Sequence, residues 1–292
     1  MYIKKTLGVS VLILALSVRA IFPCLHAAAA QAISENALRY PVLVTLDTGS
    51  TASGFYLNVE HKHLYFVTAK HVLFRYTKDQ LALKSDKADL LSYPAPVSLE
   101  DPVRLELDLK VLLENGNIKA HPEKDVAVIK ITGTRKSPMS VDLAEGVIKK
   151  DGFQGSLLSA GLENIKTFEN ILPSNEVFIF GYPTSLGIKS HMQIDPNKPL
   201  LRKGIIAGKN DINRTIILDC PSYYGNSGGP CIEVEQIDPL NRDFHLIGVV
   251  IEFVPFEEQW VNIRHGLMNS EFENSGYSVV EPIDSVLELI RS

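Results

Sequence analysis

Short apolar segments separated by glycine, proline and asparagine run through the chain from about residue 40 onward. Residues 103–109 alternate apolar and charged side chains, as a strand with one face in water does. The pattern predicts β-strands over residues 40–46, 55–59, 64–68, 103–109, 126–131, 176–180, 204–208, 215–218 and 245–253. Many short strands with turn residues between them are typical of an antiparallel barrel or sandwich.

Breaks in this pattern predict the connections between strands. Residues 55–59 and 64–68 are spaced as the two arms of a hairpin, and the glycine- and serine-rich residues 49–54 predict a turn before it. Residues 241–243 and 256–275 predict surface loops.

The weakly patterned residues 135–170 predict a connection between two β units, over residues 40–165 and 166–292. Residues 31–39 predict a short helical or irregular lead-in. A helical period is convincing only at the C-terminal end of the chain. The residues that would share one face of that helix are Ile283, Val286, Leu287 and Ile290.

The first 30 residues have the composition of an export signal. Two lysines form a basic start, residues 7–18 are apolar, and residues 27–30 are alanines of the kind found at cleavage sites. The apolar run is short for a membrane span. We therefore predict a signal peptide over residues 1–30 and an exported protein, periplasmic or secreted. An uncleaved N-terminal anchor is the alternative, and no later stretch is apolar enough to cross a membrane.

Composition and charge exclude several classes of function. Hydrophobic residues make up 45% of the chain and charged residues 22%, which is ordinary for a globular protein. The net charge of −5 leaves no excess of cations to neutralise phosphates, so a general nucleic-acid binder is not expected. No H-E-x-x-H motif or paired Cys/His spacing occurs, and we predict neither a metal nor a cofactor.

Residues 225–230, with the sequence Gly-Asn-Ser-Gly-Gly-Pro, are the strongest chemical signal. Glycines let the backbone turn so that successive N–H groups point at one spot. The N–H groups of Gly225 and Ser227 are therefore candidates to bind the oxyanion of a tetrahedral intermediate. A serine hydroxyl is a poor nucleophile by itself, so this interpretation requires a base and a carboxylate elsewhere.

His71 and Asp125 are the candidates for those two roles. His71 follows a predicted strand at the point where the chain leaves the sheet, and Asp125 directly precedes the apolar residues 126–131. A carboxylate at the start of a strand can orient an imidazole. Asp101 and Asp108 are rivals, but neither opens an apolar strand so cleanly. The alternatives are a structural histidine and a turn or capping aspartate.

Two of the three cysteines flank the serine loop. Cys220 ends one predicted strand and Cys231 begins another; if these strands pair antiparallel, a disulfide could join the two residues in an exported protein. The alternative is a pair of reduced, buried cysteines that act as small apolar residues.

These motifs resemble those of the trypsin/chymotrypsin-like serine peptidases, and especially the bacterial branch that includes the Do-type periplasmic proteases. The matching segments cover about residues 40–290 in family order: Gly54-Phe55, Thr68-Ala69-Lys70-His71, Asp125-Val126-Ala127-Val128, Gly204-Ile205-Ile206, residues 225–230 and Leu246-Ile247-Gly248-Val249-Val250. The resemblance implies an all-β fold of two antiparallel six-stranded β-barrels with the site in the cleft between them, followed by a C-terminal helix.

The resemblance also implies a serine endopeptidase that acts on a protein or peptide substrate through an acyl-enzyme. His71 would be the general base and then acid, Asp125 would orient it, and Ser227 would be acylated. The implied substrate-binding positions are Ile251, Glu252 and Phe253, which would pair with an extended substrate, and Pro221 in the wall of the primary specificity pocket.

Three positions depart from the pattern of the digestive enzymes. Asn226 stands where those enzymes have the aspartate that pairs with a new N-terminus, which argues against activation by that route. Ile251 stands where many members have a serine that supports the catalytic aspartate. Because Pro221 is not an acid, we expect no trypsin-like preference for lysine or arginine. Few residues follow the predicted C-terminal helix, so no PDZ-type domain is expected.

Two other functions compete with an active peptidase. A catalytically inactive module of the same fold could bind peptides or partner proteins, but such modules usually lose one of the three groups. A lipase or esterase would have an α/β pattern with the serine ahead of the histidine, and the sequence has neither feature.

Overall fold

The fold was obtained as a computed structural model, which describes residues 35–77, 80–93, 102–133, 142–150, 157–183, 192–238 and 241–292. Glu35–Ser292 pack as one unit. The predicted signal peptide, residues 1–30, lies outside the described residues. Among the helices of the described ranges, none combines the length and the apolar character needed to cross a membrane.

The first half of this unit is a β-sheet. Its strands are β1 (Pro41–Leu46), β2 (Thr51–Val59), β3 (His63–Thr68), β4 (Phe74–Thr77), β5 (Gln80–Leu83), β6 (Lys87–Ser92), β7 (Val103–Asp108), β8 (Ile118–Ala120), β9 (Ala127–Lys130), β10 (Val147–Lys150) and β11 (Ala160–Gly161). Nine of them form one sheet. Eight follow the order β10-β7-β6-β1-β2-β3-β9-β8, and the ninth, β11, pairs in parallel with β2. Strands β4 and β5 form a separate pair.

The second half is a closed antiparallel barrel. Its strands are β12 (Glu176–Gly181), β13 (Leu200–Asn210), β14 (Thr215–Asp219), β15 (Pro230–Gln236), β16 (Arg242–Asn262) and β17 (Leu267–Pro282). They follow the order β12-β13-β14-β17-β16-β15 around the barrel. The helices are α1 (Lys70–Leu73), α2 (Leu109–Glu114) and α3 (Ile283–Arg291), and Glu35–Arg39, Leu162–Asn164 and Phe168–Asn170 are 3-10 turns.

One hydrophobic core joins both halves to the C-terminal helix. It brings together Val67 and Val128 of the first sheet, Val249 of β16, and Ile283 and Val286 of α3. Removal of apolar surface from water is the main stabilising term, at roughly 25 cal/mol per Å². This shared core holds the two sheets in a fixed relation, so the loops between them are positioned by rigid elements.

The prediction of an all-β fold with two β units and a C-terminal helix is confirmed. The second unit is the six-stranded barrel. The sheet of the first unit has nine strands, because β6 and the short strands β8, β10 and β11 join the five that the pattern indicated. The first sheet ends at Gly161 and the barrel begins at Glu176.

The hairpin of β2 and β3 is confirmed, but the turn predicted over residues 49–54 is correct only for Gly49 and Ser50, which lie in a turn that closes on Leu46. Strand β2 already begins at Thr51. Gly54 lies within it because β3 passes very close, and a Cβ there would come within 2.3 Å of the Phe66 ring. Gly54 therefore reflects a close approach between strands, whereas Gly49, with a φ of 82°, belongs to the turn before β2.

The surface loops predicted around 241–243 and 256–275 are also wrong. Strands β16 and β17 stay paired far beyond the barrel, and the pairing continues from Pro255 opposite Asn274 to Asn262 opposite Leu267. We call this outer ribbon, residues 255–274, the arm. Most of its side chains are exposed, so no single face had to be apolar and the alternation that identifies a strand was lost.

The strands that carry the two cysteines are not neighbours. Strand β14 pairs with β13 and β17, whereas β15 pairs with β12 and β16. The expected antiparallel pairing between them is therefore wrong. Cys220 and Cys231 are free thiols buried in the barrel core. Burial raises the pKa of the Cys220 thiol to about 11, so it stays protonated and unreactive at neutral pH.

Candidate active site

The Asp125 carboxylate contacts both the backbone N–H and the ring of His71. His71 lies in α1, a single turn directly after β3, and its N–H donates to Asp125 Oδ1 at 2.8 Å. The ring atom Nδ1 lies 2.6 Å from Asp125 Oδ2. These residues meet because β3 and β9 are adjacent, with Thr68 opposite Ala127. The sequence therefore placed each residue at the end of a strand, and the sheet brought the two ends together.

The contact with His71 keeps Asp125 ionised. Burial opposes the charge on this carboxyl, but the hydrogen bonds and charge of His71 outweigh it and lower the pKa of Asp125. A neutral imidazole that donates from Nδ1 to a carboxylate has Nε2 as its acceptor. His71 is thus held in the tautomer that can take a proton.

The loop that carries Ser227 depends on glycines and on one buried amide. Gly225 and Gly228 both have positive φ, of 99° and 88°. A Cβ at Gly228 would lie 2.1 Å from the Ser53 carbonyl oxygen, so only glycine fits there. Asn226, which is almost fully buried, accepts from the Tyr223 N–H with its side chain and donates its own N–H back to the Tyr223 carbonyl. These two hydrogen bonds join Asn226 to Tyr223 and hold the start of the loop in a tight turn.

Two backbone N–H groups in this loop are available to a ligand. Among the described residues, neither the Gly225 N–H nor the Ser227 N–H donates to a protein acceptor. Gly225 is buried, and a buried N–H without a partner is uncommon in a folded protein. Its carbonyl, which belongs to the next peptide group, accepts from the Ser53 hydroxyl at 2.6 Å. The two N–H groups predicted to bind an oxyanion therefore have no hydrogen-bond acceptor among the described residues.

His71 and Ser227 line the same cleft, together with Gly225. The remaining lining residues are Val44, Leu46, Ser50, Thr51, Ala52, Val72, Lys84 and Tyr224. The Ser227 hydroxyl donates to the Ile251 carbonyl at 3.3 Å rather than to the imidazole. The structure therefore joins His71 to Asp125 directly and brings Ser227 to the same cleft, with its hydroxyl turned toward β16.

The residues predicted to bind substrate lie beside Ser227. Ile251 packs its side chain into the core of the first unit. Because it is an isoleucine, it has no hydroxyl with which to support Asp125. Glu252 is exposed, and the Phe253 ring meets the edge of Tyr224 at a centroid distance of 5.6 Å. Pro221 is half-buried in the segment between β14 and the Ser227 loop. Because β15 pairs with β16 only as far as Val249, the edge of β16 beyond that point faces no strand among the described residues.

Sequence reasoning missed Ser53. It is completely buried in β2; its hydroxyl donates to the Gly225 carbonyl and accepts from the Tyr182 N–H, and its own N–H donates to the Ser227 carbonyl at 2.9 Å. A serine next to Gly54 was taken as part of a turn. The signal that could have identified it is its place directly before the apolar residues of a strand.

Sequence reasoning also missed Glu281. This carboxyl is buried at the end of β17, beside the backbone amide of Asp125, with Lys124 Nζ 3.8 Å from its Oε2. Burial raises the pKa of Glu281, and the Lys124 ammonium and the Asp125 amide offset part of that rise. A single charge inside the apolar residues 279–283 was the available signal.

Within the described ranges, no group of three or more His, Cys, Asp or Glu side chains is arranged to hold a metal ion. The cleft brings together an imidazole in contact with a carboxylate, a hydroxyl, and two backbone N–H groups without an acceptor among the described residues.

The chain is similar to known proteins in both its sequence and its fold. A family model described as "Trypsin-like peptidase domain" matches residues 52–236. Among solved structures, a thermostable serine protease, AL20, from an extremophilic microorganism is similar at 11% identity and a TM-score of 0.47, over 85% of this chain and 93% of that one. An inactive form of the Rv3671c protease is similar at 13% identity and a TM-score of 0.43, over 87% and 88%. The search of curated proteins gave no match.

Proposed function

Because the chain belongs to the trypsin-like peptidase domain family, we propose that it is a serine endopeptidase with His71, Asp125 and Ser227 as its catalytic residues. The observation that carries this proposal is the 2.6 Å contact between His71 Nδ1 and Asp125 Oδ2 in the cleft that also holds Ser227. A hydroxyl beside an oriented imidazole is the arrangement that nucleophilic serine catalysis requires.

The reaction begins when the Ser227 hydroxyl turns from the Ile251 carbonyl toward His71 Nε2, a rotation about one side-chain bond. His71 takes the proton as Ser227 Oγ attacks the peptide carbonyl carbon, and Asp125 stabilises the imidazolium. The Gly225 and Ser227 N–H groups stabilise the oxyanion. His71 then protonates the leaving amine, and a water molecule, deprotonated by the same imidazole, hydrolyses the acyl-enzyme.

The substrate in this proposal is an extended protein or peptide segment. It pairs with the open edge of β16 at Ile251, Glu252 and Phe253, where main-chain hydrogen bonds recognise any sequence. Pro221 offers no charge to bind lysine or arginine. An exported location stays a prediction from residues 1–30.

One observation favours a second candidate, a peptide-binding module without turnover. The Ser227 hydroxyl is bonded to the Ile251 carbonyl, and a hydroxyl fixed there would not attack. The same open edge of β16 would still bind an extended peptide.

Labelling with an active-site serine phosphonate separates these candidates. We expect a covalent adduct on Ser227 of the folded protein and none on the denatured protein or on Ser227→Ala. Replacement of Ser227 by alanine should lower kcat for an unfolded casein-type substrate by about 10⁶-fold. Ser222→Ala, which changes a buried serine outside the proposed triad, is the matched control and should still be labelled.

Peptide mapping by mass spectrometry and initial-rate assays provide the two measurements. An unlabelled folded protein that still binds peptides would favour the module without turnover. Unchanged cleavage by Ser227→Ala would show that another residue is the nucleophile.

A further inference from the structure

The arm leaves the barrel as a ribbon of only two strands. Strand β15 pairs with β16 as far as Val249, and β14 pairs with β17 only over residues 277–280. Within the described part of the chain, each strand of the arm therefore has a strand partner on one side alone. Isolated two-stranded ribbons are marginally stable in water, and unpaired strand edges are templates for a further strand.

One of these open edges begins at the nucleophile. The Ile251 carbonyl accepts from the Ser227 hydroxyl, and β16 continues from there into the arm through two irregularities of its pairing with β17, at residues 250–252 and 253–255. The base of the arm is fixed to the segment before the Ser227 loop, because the Asn274 amide donates to the Ser222 carbonyl at 2.5 Å. A polypeptide that pairs with β16 beside Ser227 can thus continue along the arm.

The arm also exposes apolar side chains that a soluble ribbon would not need. Phe256 and Trp260 are four positions apart in β16, so their side chains lie on the same face of the strand. Trp260 is 59% exposed. The other exposed apolar residues of the arm are Val261, Ile263, Leu267, Met268 and Phe272. Exposed aromatic side chains of this kind are typical of binding surfaces.

The charge of the arm indicates what it binds. Glu257, Glu258, Glu271 and Glu273 are all exposed, and Glu258 lies directly opposite Glu271. Like charges at opposite positions destabilise a ribbon. No lysine or arginine of the described residues lies within salt-bridge distance of these four carboxylates. Two copies of the arm would repel each other, whereas a cationic strand would neutralise it.

We propose that the β16 edge of the arm binds the substrate beyond the cleaved bond, as an added β-strand that alternates basic and apolar residues. This inference rests on the proposed function, because it extends the substrate strand that begins at Ile251. Residues 255–262 offer about 26 Å of edge at roughly 3.3 Å per residue, which accommodates about eight further substrate residues. The arm thereby selects long unfolded polypeptides over short peptides.

Binding to Ser227→Ala, measured by fluorescence anisotropy, tests the arm without any need for turnover. The probes are a six-residue peptide and the same peptide extended by eight residues of alternating lysine and valine, at its N-terminus or at its C-terminus. A second pair of extended peptides carries glutamate in place of lysine. In the arm-truncated variant, Asn-Gly replaces residues 256–273, which joins Pro255 to Asn274, two residues that already face each other.

We expect one of the two lysine-containing extensions to strengthen peptide binding by at least about tenfold. Truncation of the arm should abolish that gain in affinity. The six-residue peptide should bind equally to the proteins with and without the arm. Glu258→Gln should lower the gain, whereas Glu114→Gln, an exposed glutamate on α2, should not. Trp260→Ala should lower it as well.

Three results would overturn the inference: an undiminished gain in the truncated variant, equal binding of the lysine and glutamate extensions, or an arm-dependent dimer in sedimentation velocity. Failure of the proposed function is a different result. In that case the wild-type protein neither reacts with the phosphonate nor cleaves any of these peptides, whatever the arm binds.

Discussion

A single buried hydroxyl connects the first sheet to the loop that would stabilise the oxyanion. Ser53 donates to the Gly225 carbonyl and accepts from the Tyr182 N–H. The N–H and the carbonyl of Gly225 are joined through one Cα, so a contact that fixes the carbonyl restricts the backbone dihedral angles that orient the N–H. Ser53 therefore acts through Gly225 and is a positioning residue.

Ser53→Ala should affect both stability and turnover. Two buried partners would lose their hydrogen bond, which lowers the free energy of unfolding by about 1–3 kcal/mol. If the Gly225 N–H then loses its orientation, kcat should fall by up to about 10²-fold with little change in KM. Urea unfolding and steady-state kinetics measure the two effects, with the exposed Ser292→Ala as control. A destabilised variant with unchanged kcat would restrict Ser53 to a structural role.

Glu281 gives the site a second buried carboxyl. It faces Asp125, Lys124 and Lys70, and burial raises its pKa above the ordinary value of 4.5. A carboxyl whose folded-state pKa is raised holds its proton more tightly in the folded state. Its contribution to stability is therefore complete below the unfolded-state pKa and is lost as the pH rises through the folded-state pKa.

Glu281→Gln should remove this pH dependence. The free energy of unfolding of the variant, relative to that of the wild type, should increase from pH 4 to pH 7, because the amide carries no charge into the buried site. Urea titrations at several pH values between these limits measure the difference. Asp125 contributes in the opposite direction in both proteins, since His71 lowers its pKa, so it largely cancels in the comparison. A difference independent of pH would contradict the assignment.

At the scale of elements, α3 shows why an amphipathic period is informative. The residues predicted for its apolar face do face the core, and Leu289 joins them as a buried residue. Leu287 and Ile290 are only partly buried at the edges of this face. The helix thereby contacts both sheets and closes the core between them.

Leu289→Ala should test how much this helix contributes. We expect the free energy of unfolding to fall by about 2–5 kcal/mol, from lost burial and from the cavity that remains. The exposed Arg291→Ala in the same helix should change it by less than about 0.5 kcal/mol. Thermal or urea unfolding gives both values. Equal effects from the two substitutions would mean that α3 packs only loosely on the core.

The arm shows the converse case at this scale. Residues 256–275 predicted a loop, because a ribbon with both faces exposed to solvent has no alternation of apolar and polar side chains. Strand pairing alone holds it, and pairing partners are not visible in a local pattern. Helix α2 was missed for a related reason: it is a single short element, begun by the Asp108 carboxylate that accepts from the Val111 N–H.

At the scale of the whole molecule, the site exists only where the two units meet. His71 and Asp125 belong to the first sheet, and Ser227 belongs to a loop of the barrel. Two hydrogen bonds cross between them, from the Ser53 N–H to the Ser227 carbonyl and from the Ser53 hydroxyl to the Gly225 carbonyl. The core under α3 fixes this relation, so the geometry of the site depends on the packing of both units.

The sequence by itself determined the features that local physics controls. Alternation and helical period depend on near neighbours, so most strands and α3 were predicted. The glycine run around Ser227, the histidine after β3 and the aspartate before β9 were visible because each has a local backbone requirement.

Only the tertiary structure decided which distant residues meet. Ser53 and Gly225 are 172 residues apart in the chain, and their hydrogen bond follows from the packing of β2 against the Ser227 loop. The separation of the cysteine strands, the burial of Glu281 beside Asp125 and the long pairing of β16 with β17 have the same origin. No local pattern encodes these contacts, because each depends on the register and packing of sheets that form from residues far apart.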